Sequence, residues 1–572
     1  MLKRIIPLLL TSIAQIVNAA SPAPVQGSKF MAVSSQRYAT EVGACILKQG
    51  GNAVDAAVAM GYALAVVNPC CGNIGGGGFM LIRFANGHAT FLNFREKAPK
   101  KSRLDLFLDP KGNVIFENLS TGHIKGALAK PYLAVGIPGT VMGLNKALEK
   151  YGTLPLSQVL APAIRLAEDG YLLLPGDVSI LKTGEESFKT QPNVCAIFMK
   201  GGRSYNPGDR LVQKNLATTL KEIASKGTAG FYQGKIAEEI VKASNKNGGV
   251  ITKSDLSHYS IDEQSPLVCT YRGYKIITTP PPGSGTTICE ALKILEPYKL
   301  REYGFHSAMG THYAVEAMRF SYADRNRYLG DPNFIQNPVK TLLSQSHIRK
   351  IQAQIKPNKA TPSDRIRWDI PEGSNTTSYV VIDRKGNAVS VTYTLNDYFG
   401  SKVIPGKTGF FLNNEMADFT IKPNTSNTYG LYQGKQNLLE PNKRPLSSMA
   451  PTIMTKDDKL FLVIGTPGGS TIPSQIINVI LNVIDYGMNI QEAEDAPRFH
   501  MQWLPDKIFM EQFAFSRDTQ AILEKMGYQL KLGSPYDTPY WGAVSGILID
   551  SETHKFYGAM DSRRPTGAAI GE

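Results

Sequence analysis

A threonine at the start of a strand has the most chemistry within reach. In Gly373-Ser374-Asn375-Thr376-Thr377-Ser378-Tyr379-Val380-Val381-Ile382-Asp383 a polar run ends at Thr376 and a β-branched, apolar strand begins. In an intact chain Thr376 only opens that strand. With the Asn375–Thr376 bond cut, one residue carries both a hydroxyl nucleophile and a base. The base is the free α-amine, whose unperturbed pKa of about 7.7–8 leaves part of it deprotonated near neutrality. A second candidate is Gly465-Thr466-Pro467-Gly468-Gly469-Ser470-Thr471, between a predicted strand and a predicted helix. Paired glycines let backbone N–H groups approach a ligand, and the helix start adds a positive dipole end. Such a turn can bind an anion or a developing oxyanion, or simply join two elements. Asn413-Asn414-Glu415-Met416-Ala417-Asp418 gathers amides and carboxylates that suit an ammonium group or a solvated loop. Arg95, followed by Glu96, can hold a carboxylate bidentately or make a surface ion pair.

Other chemistries lack their residues. The glycine-rich runs at 75–78 and 280–285 have no Lys-Ser/Thr where a P-loop needs one. No Gly-x-Ser-x-Gly elbow occurs, and no histidine stands beside a candidate nucleophile. The eight histidines lie far apart and no CxxC is present, so zinc spacing finds no support and no cofactor is expected. Six cysteines in a chain of 572 residues do not make a disulfide scaffold, and vicinal Cys70-Cys71 is not expected to bridge to itself.

Alternating helices and strands must position these groups. Periodicity and end signals predict helices at 35–48 and 53–67, the latter capped by Asn52 and stopped by Pro69. Further helices are expected at 140–150, 157–168, 214–225, 232–246 and 307–328, with a buried one at 471–486. Strands are expected at 79–84 and 90–94 around Asn86-Gly87, at 377–382 and 388–395, and at 461–464 and 544–549. The stretch 354–375 is polar and poorly periodic; it reads as an exposed linker ending at Thr376, where cleavage is tolerated.

Composition is that of an ordinary globular protein, 42% hydrophobic and 19% charged. The net charge of +14 is scattered, without the basic stripe of a nucleic-acid binder. Residues 1–19 read as a secretory signal: Lys3 and Arg4, an apolar core at 5–17, then Val17-Asn18-Ala19. The run is too short and interrupted for a membrane span, so an exported, periplasmic or secreted protein is expected.

Taken together these motifs resemble the γ-glutamyltranspeptidases of the N-terminal-nucleophile hydrolase superfamily. The resemblance rests on Asn-Pro-x-x-Gly-x-x-Gly-Gly-Gly-Gly-Phe at 68–79, Asn93-Phe94-Arg95-Glu96, Gly136-Ile137-Pro138-Gly139-Thr140 and Tyr322-Ala323-Asp324-Arg325. It continues through Thr376-Thr377, Leu412-Asn413-Asn414-Glu415-Met416, 442–449 and 465–470, and so spans the mature chain. It implies an α+β fold, a four-layer αββα sandwich of two stacked, mainly antiparallel sheets. It implies self-cleavage between Asn375 and Thr376 into a large subunit, 20–375, and a small one, 376–572, interwoven as a heterodimer. Thr376 would then attack γ-glutamyl amides such as glutathione, with release to water or to an amino-acid or peptide acceptor. Thr394 would orient the Thr376 hydroxyl, and Gly468 and Gly469 would form the oxyanion hole. Arg95, Ser447 and Ser448 match residues that hold the substrate α-carboxylate. Asn396, Glu415 and Asp418 match those that hold its α-ammonium, and Tyr429 matches a lid. Ser378, Val380 and Ala417 depart from common family residues. The alternative is a related amidase acting on cephalosporin side chains or poly-γ-glutamate.

Overall fold

The computed structural model of the protein describes residues 21–112, 131–366, 376–422, 434–533 and 541–572. The expected signal at 1–19, Asn375 and Tyr429 lie outside them. Two seven-stranded sheets dominate. The first runs, edge to edge, through Val25–Gly27, Phe556–Met560, Ser545–Ile549, Lys459–Gly465, Thr452–Lys456, Tyr274–Thr278 and Leu267–Tyr271. The second runs through Ala568–Gly571, Met31–Ser34, Thr376–Ile382, Ala388–Thr394, Gly77–Arg83, Ala89–Asn93 and Asp262–Gln264. Every neighbouring pair is antiparallel.

The period-two geometry of a strand explains why both sheets are covered twice. Along Gly77–Arg83, Phe79 and Leu81 fill the space between the sheets, while Met80 and Ile82 pack on outer helices. Thr376–Ile382 does the same, with Val380 and Ile382 inward and Tyr379 and Val381 outward. Strands apolar on both faces need helices outside, and they have them. Arg37–Lys48, Ala53–Val67 and Thr140–Tyr151 cover the second sheet. Gly285–Leu295 and Ile472–Ile484, backed by Ala308–Tyr328, cover the first. The result is a four-layer αββα sandwich, an α+β fold.

Local chemistry sets the helix ends. The Asn52 side chain accepts from the N–H groups of Val54 and Asp55, and Asp55 accepts from the Asn52 N–H at 2.8 Å, a capping box that starts Ala53–Val67. The helix expected over 232–246 runs over Gly234–Lys246, and a separate short helix, Ala229–Tyr232, precedes it, the two parted where Gly234 turns the backbone to φ +64°. Helices at Pro175–Lys189, Gly285–Leu295 and Gln345–Gln354 escape the periodicity reading. The expected linker is docked over its first half. Ser363 is buried, its N–H donates to Asp506 at 2.8 Å, and its carbonyl accepts from the Trp503 indole at 3.0 Å.

The cysteine expectation is corrected: Cys70 and Cys71 are joined to each other. They sit in the turn after Asn68, where the Cys70 and Cys71 carbonyls accept from the N–H groups of Phe399 and Leu395, and this tight turn brings the two sulfurs together. A second disulfide joins Cys269, on an edge strand, to Cys289 on the covering helix. No helix among the described residues is long and apolar enough to cross a membrane.

Leu81 is fully buried between the sheets. Leu81→Ala should therefore cost about 2–5 kcal/mol of stability, seen as a lower midpoint of urea unfolding. An unchanged midpoint would mean that the two sheets do not close on this residue.

Candidate active site

Strand register places the opening threonine. Thr376 is the cross-strand partner of Thr394, and Thr394 is in turn the partner of Gly77. By alternation all three occupy the inter-sheet face, at the end of the three central strands. Direct partners have Cβ atoms about 4.5–5.5 Å apart, within reach of a hydroxyl–hydroxyl contact. Thr376 is 6% exposed. Its neighbour Thr377 faces the helices, accepting from Asn68 Nδ2 at 2.8 Å.

From Thr394 a polar chain leads to a buried charge cluster. Thr394 Oγ1 accepts from the Asn396 N–H at 2.8 Å, and Asn396 holds φ +77° to turn the chain there. Asn396 Nδ2 donates to Asp418 Oδ1 at 3.1 Å. Asp418 pairs with Arg95, whose guanidinium also lies 2.7 Å from Glu415 and 3.5 Å from Glu96. Arg95 is 1% exposed, so the surface pair is excluded and a buried one takes its place. Arg95 Nε, Glu96 Oε1 and both Glu415 oxygens have no well-directed hydrogen bond among the described residues, although Glu415 lies close to the guanidinium. Such open valences inside a protein mark a place for a polar ligand.

Electrostatics follow from one cation among three acids. Burial works to lower the Arg95 pKa, but Glu415, Asp418 and Glu96 outweigh it and hold the guanidinium charged. Burial pushes Glu96 up to about 8, against the pull of Arg95. Glu415 is raised well above the carboxylate range, by burial first and then by the neighbouring Glu96 and Asp418. Glu96 and Glu415 therefore favour extra protons, which an ammonium group could replace.

The backbone around the cluster is fixed by residues that sequence reasoning missed. The Arg95 carbonyl accepts from the Tyr259 hydroxyl at 2.8 Å and from Arg444 Nε at 3.3 Å. Asn413 donates to the carbonyls of Gly75 and Gly136, both at 2.9 Å, and accepts from the N–H groups of Gly136 and Glu415. It is thus a brace and not an ammonium ligand. The glycine run explains itself by crowding. A Cβ at Gly76 would lie 1.9 Å from the Thr394 carbonyl oxygen, and one at Gly77 would lie 2.7 Å from the Glu96 carboxylate. Neither Tyr259 nor Arg444 carries a local signal, because each acts across a long sequence separation.

The paired-glycine turn sits on the same side. Gly465 ends its strand against Ser378, since a Cβ there would meet Ser378 Oγ at 2.1 Å. Gly468 and Gly469 then adopt φ +131° and +56°, and Gly469–Thr471 opens the helix Ile472–Ile484. Thr471 Oγ1 caps the Gly468 carbonyl at 2.7 Å, and Gln475 Nε2 holds the Pro467 carbonyl at 3.0 Å. Beneath it, Ser470 donates to Gln502 and Ser474 bonds His500, both at 2.7 Å. Burial holds His500 down at about 4, so this imidazole is neutral. Ser447 and Ser448 form a neighbouring network, with Ser284 Oγ donating to the Ser447 carbonyl at 2.6 Å and Arg325 Nη2 lying 3.5 Å from Ser448 Oγ. Asn437 joins that network to the cluster, donating to the Asp418 carbonyl at 2.7 Å and accepting from the Leu446 N–H at 2.8 Å.

The family model described as Gamma-glutamyltranspeptidase matches residues 39–571. The chain belongs to this family. It is 51% identical over 567 residues to the glutathione hydrolase proenzyme of Pseudomonas sp. (strain A14), covering 97% of this chain and 96% of that one. Identity to the Escherichia coli (strain K12) glutathione hydrolase proenzyme is 47% over 545 residues, covering 94% and 91%. Among solved structures, a cephalosporin acylase from Bacillus halodurans superposes with TM-score 0.84 at 28% identity, covering 99% of both chains. A Helicobacter pylori gamma-glutamyltranspeptidase chain matches with TM-score 0.56 at 44% identity, covering 62% of this chain and 97% of that one. Family and architecture together make the protein an enzyme of the N-terminal-nucleophile hydrolase type.

The cluster has a pH signature. Glu96 titrates near 4.5 when unfolded and about 8 when folded, so between those values the folded protein binds the extra proton and loses stability as pH rises. Glu96→Gln should flatten that fall, measured as the difference in unfolding midpoint between about pH 5 and about pH 9. An identical fall in variant and parent would contradict the assignment.

Proposed function

We propose that the protein is a glutathione hydrolase and γ-glutamyltransferase made as a proenzyme and activated by cleavage between Asn375 and Thr376. One observation carries this reading: Thr376 stands opposite Thr394 on the inter-sheet face, where the Asn396–Asp418–Arg95 chain begins. In maturation the Thr376 hydroxyl attacks the preceding carbonyl, the amide becomes an ester, and water opens it. The products are the subunits 20–375 and 376–572. They stay together because each sheet contains hydrogen-bonded strands from both parts.

In turnover the freed α-amine accepts the hydroxyl proton as Oγ attacks the γ-carbonyl. The Gly468 and Gly469 N–H groups receive the developing oxyanion. Arg95 with Ser447 and Ser448 takes the α-carboxylate; Asn396, Glu415 and Asp418 take the α-ammonium; and Tyr429 covers the bound glutamyl group. An amino-acid head group is the natural complement of this site, because its ammonium replaces the extra protons while its carboxylate meets the guanidinium. Fixing both ends aims the γ-carbonyl at the nucleophile. Collapse of the intermediate releases the amine, and the γ-glutamyl ester passes to water or to an acceptor amine. Export follows from the leader at 1–19. The acylase neighbours keep cephalosporin side-chain hydrolysis as a second reading, and comparison of kcat/KM for glutathione and for a cephalosporin decides between them.

The test is a denaturing gel with N-terminal sequencing, alongside glutathione hydrolysis. The purified protein should give two bands, the smaller beginning at Thr376. Thr376→Ala should remain one chain with activity down by at least about a thousandfold, in line with loss of a nucleophile. Arg95→Lys should be processed yet show a much higher KM. Full activity in an uncleaved chain would overturn the reading.

A further inference from the structure

Three helices meet on the outer side of the first sheet at a cluster that the γ-glutamyl chemistry leaves unused. Glu290 comes from Gly285–Leu295, Asp324 from Ala308–Tyr328 and His347 from Gln345–Gln354. His347 Nε2 lies 2.7 Å from Asp324 Oδ2 and 3.2 Å from Glu290 Oε1. One donor atom from each residue falls within 4.8 Å of the other two. Glu290 is 1% exposed, and its Oε2 has no hydrogen-bond partner among the described residues. A fully buried carboxylate oxygen with open lone pairs, beside a second carboxylate and an imidazole, is a donor set without its acceptor.

We propose that Glu290, Asp324 and His347 bind one divalent transition-metal ion of the zinc class, with water completing its coordination. The donor types select the metal. An imidazole nitrogen with two carboxylates suits zinc, manganese or cobalt, whereas magnesium and calcium prefer oxygen alone. Zinc–ligand bonds of about 2.0–2.2 Å at tetrahedral angles set neighbouring donors roughly 3.3 Å apart. The Glu290–His347 separation of 3.2 Å already meets this, and the Asp324–His347 pair needs to open by about half an ångström. An entry path exists, because the His347 and Asp324 side chains are 25% and 14% exposed while Glu290 closes the floor.

The ion would tie together three helices that otherwise meet through the contacts of one imidazole with two carboxylates. Its neighbourhood gives the tie a consequence. Next to Asp324, Arg325 donates from Nε to Ser284 Oγ at 2.7 Å, and Ser284 in turn holds the Ser447 carbonyl. The metal thus stiffens the frame behind the serine pair without touching substrate, and its role is structural.

The experiment uses the full-length purified protein, stripped with EDTA and desalted. Zinc is titrated against a chromophoric chelator, and thermal unfolding is followed with zinc, magnesium or EDTA present. The expected result is one zinc site per chain and a rise of several degrees in Tm with zinc but not with magnesium. Cobalt loading should give the visible absorption of a tetrahedral site. Glu290→Gln, nearly isosteric, and His347→Ala should each remove the site and the Tm response; circular dichroism in EDTA shows that they fold. Absence of zinc retention, or equal retention in parent and variants, would overturn the proposal and leave the cluster as a protonated ion pair.

Discussion

A single guanidinium held inside the protein by three carboxylates is the interaction on which the rest of the site depends. An unpaired charge at that depth would cost several kcal/mol, so the fold must bring acids from distant segments to Arg95. Glu96 follows it directly, while Glu415 and Asp418 arrive from a turn more than three hundred residues away. Packing the cluster then constrains its surroundings. Gly77 has no room for a Cβ beside Glu96, Asn413 ties the acidic turn to Gly75 and Gly136, and Tyr259 and Arg444 fix the Arg95 carbonyl. One cation cannot hold three buried acids ionised, so Glu96 and Glu415 are pushed toward their protonated forms, and an ammonium group could take the place of those protons.

The sandwich sets the second constraint. Two central strands, Thr376–Ile382 and Ala388–Thr394, are flanked by Met31–Ser34 and Gly77–Arg83 from the other side of the proposed cleavage point. A chain cut at Thr376 therefore keeps every ladder bond between the two parts. The same register points Thr376 and Thr394 to one face and ends both strands beside the glycine turn. Rigid sheet, charge cluster and helix start converge at one edge, which is where preorganised catalysis needs them.

Much of this was legible in the sequence because its causes are local. Asn52 and Pro69 delimit Ala53–Val67, and the alternation after Thr376 gives the strand its length. The glycine pair at 468–469 shows its positive φ values through residue type alone. What escaped depends on distant partners. Asn413 stands in a run whose amides and carboxylates suit an ammonium group, but it is a brace, since its partners are Gly75 and Gly136. The Cys70–Cys71 bridge follows from a turn fixed by Leu395 and Phe399, which no spacing rule contains. The stretch after 354 looked loose because its composition is polar, yet Asp506 and Trp503 dock it. The family resemblance named Arg95 and Asp418 as opposite ends of a substrate clamp. In the structure they touch, so a substrate bound as proposed would exchange its own charges into an existing pair.

Covalent labelling tests the central claim most directly. The mature enzyme is treated with an electrophilic glutamate analogue, digested, and its modified peptide identified by mass spectrometry. The account predicts a single adduct on the peptide that begins with Thr376, lost when free glutamate protects the site. An adduct on any other residue, with activity abolished in parallel, would contradict it.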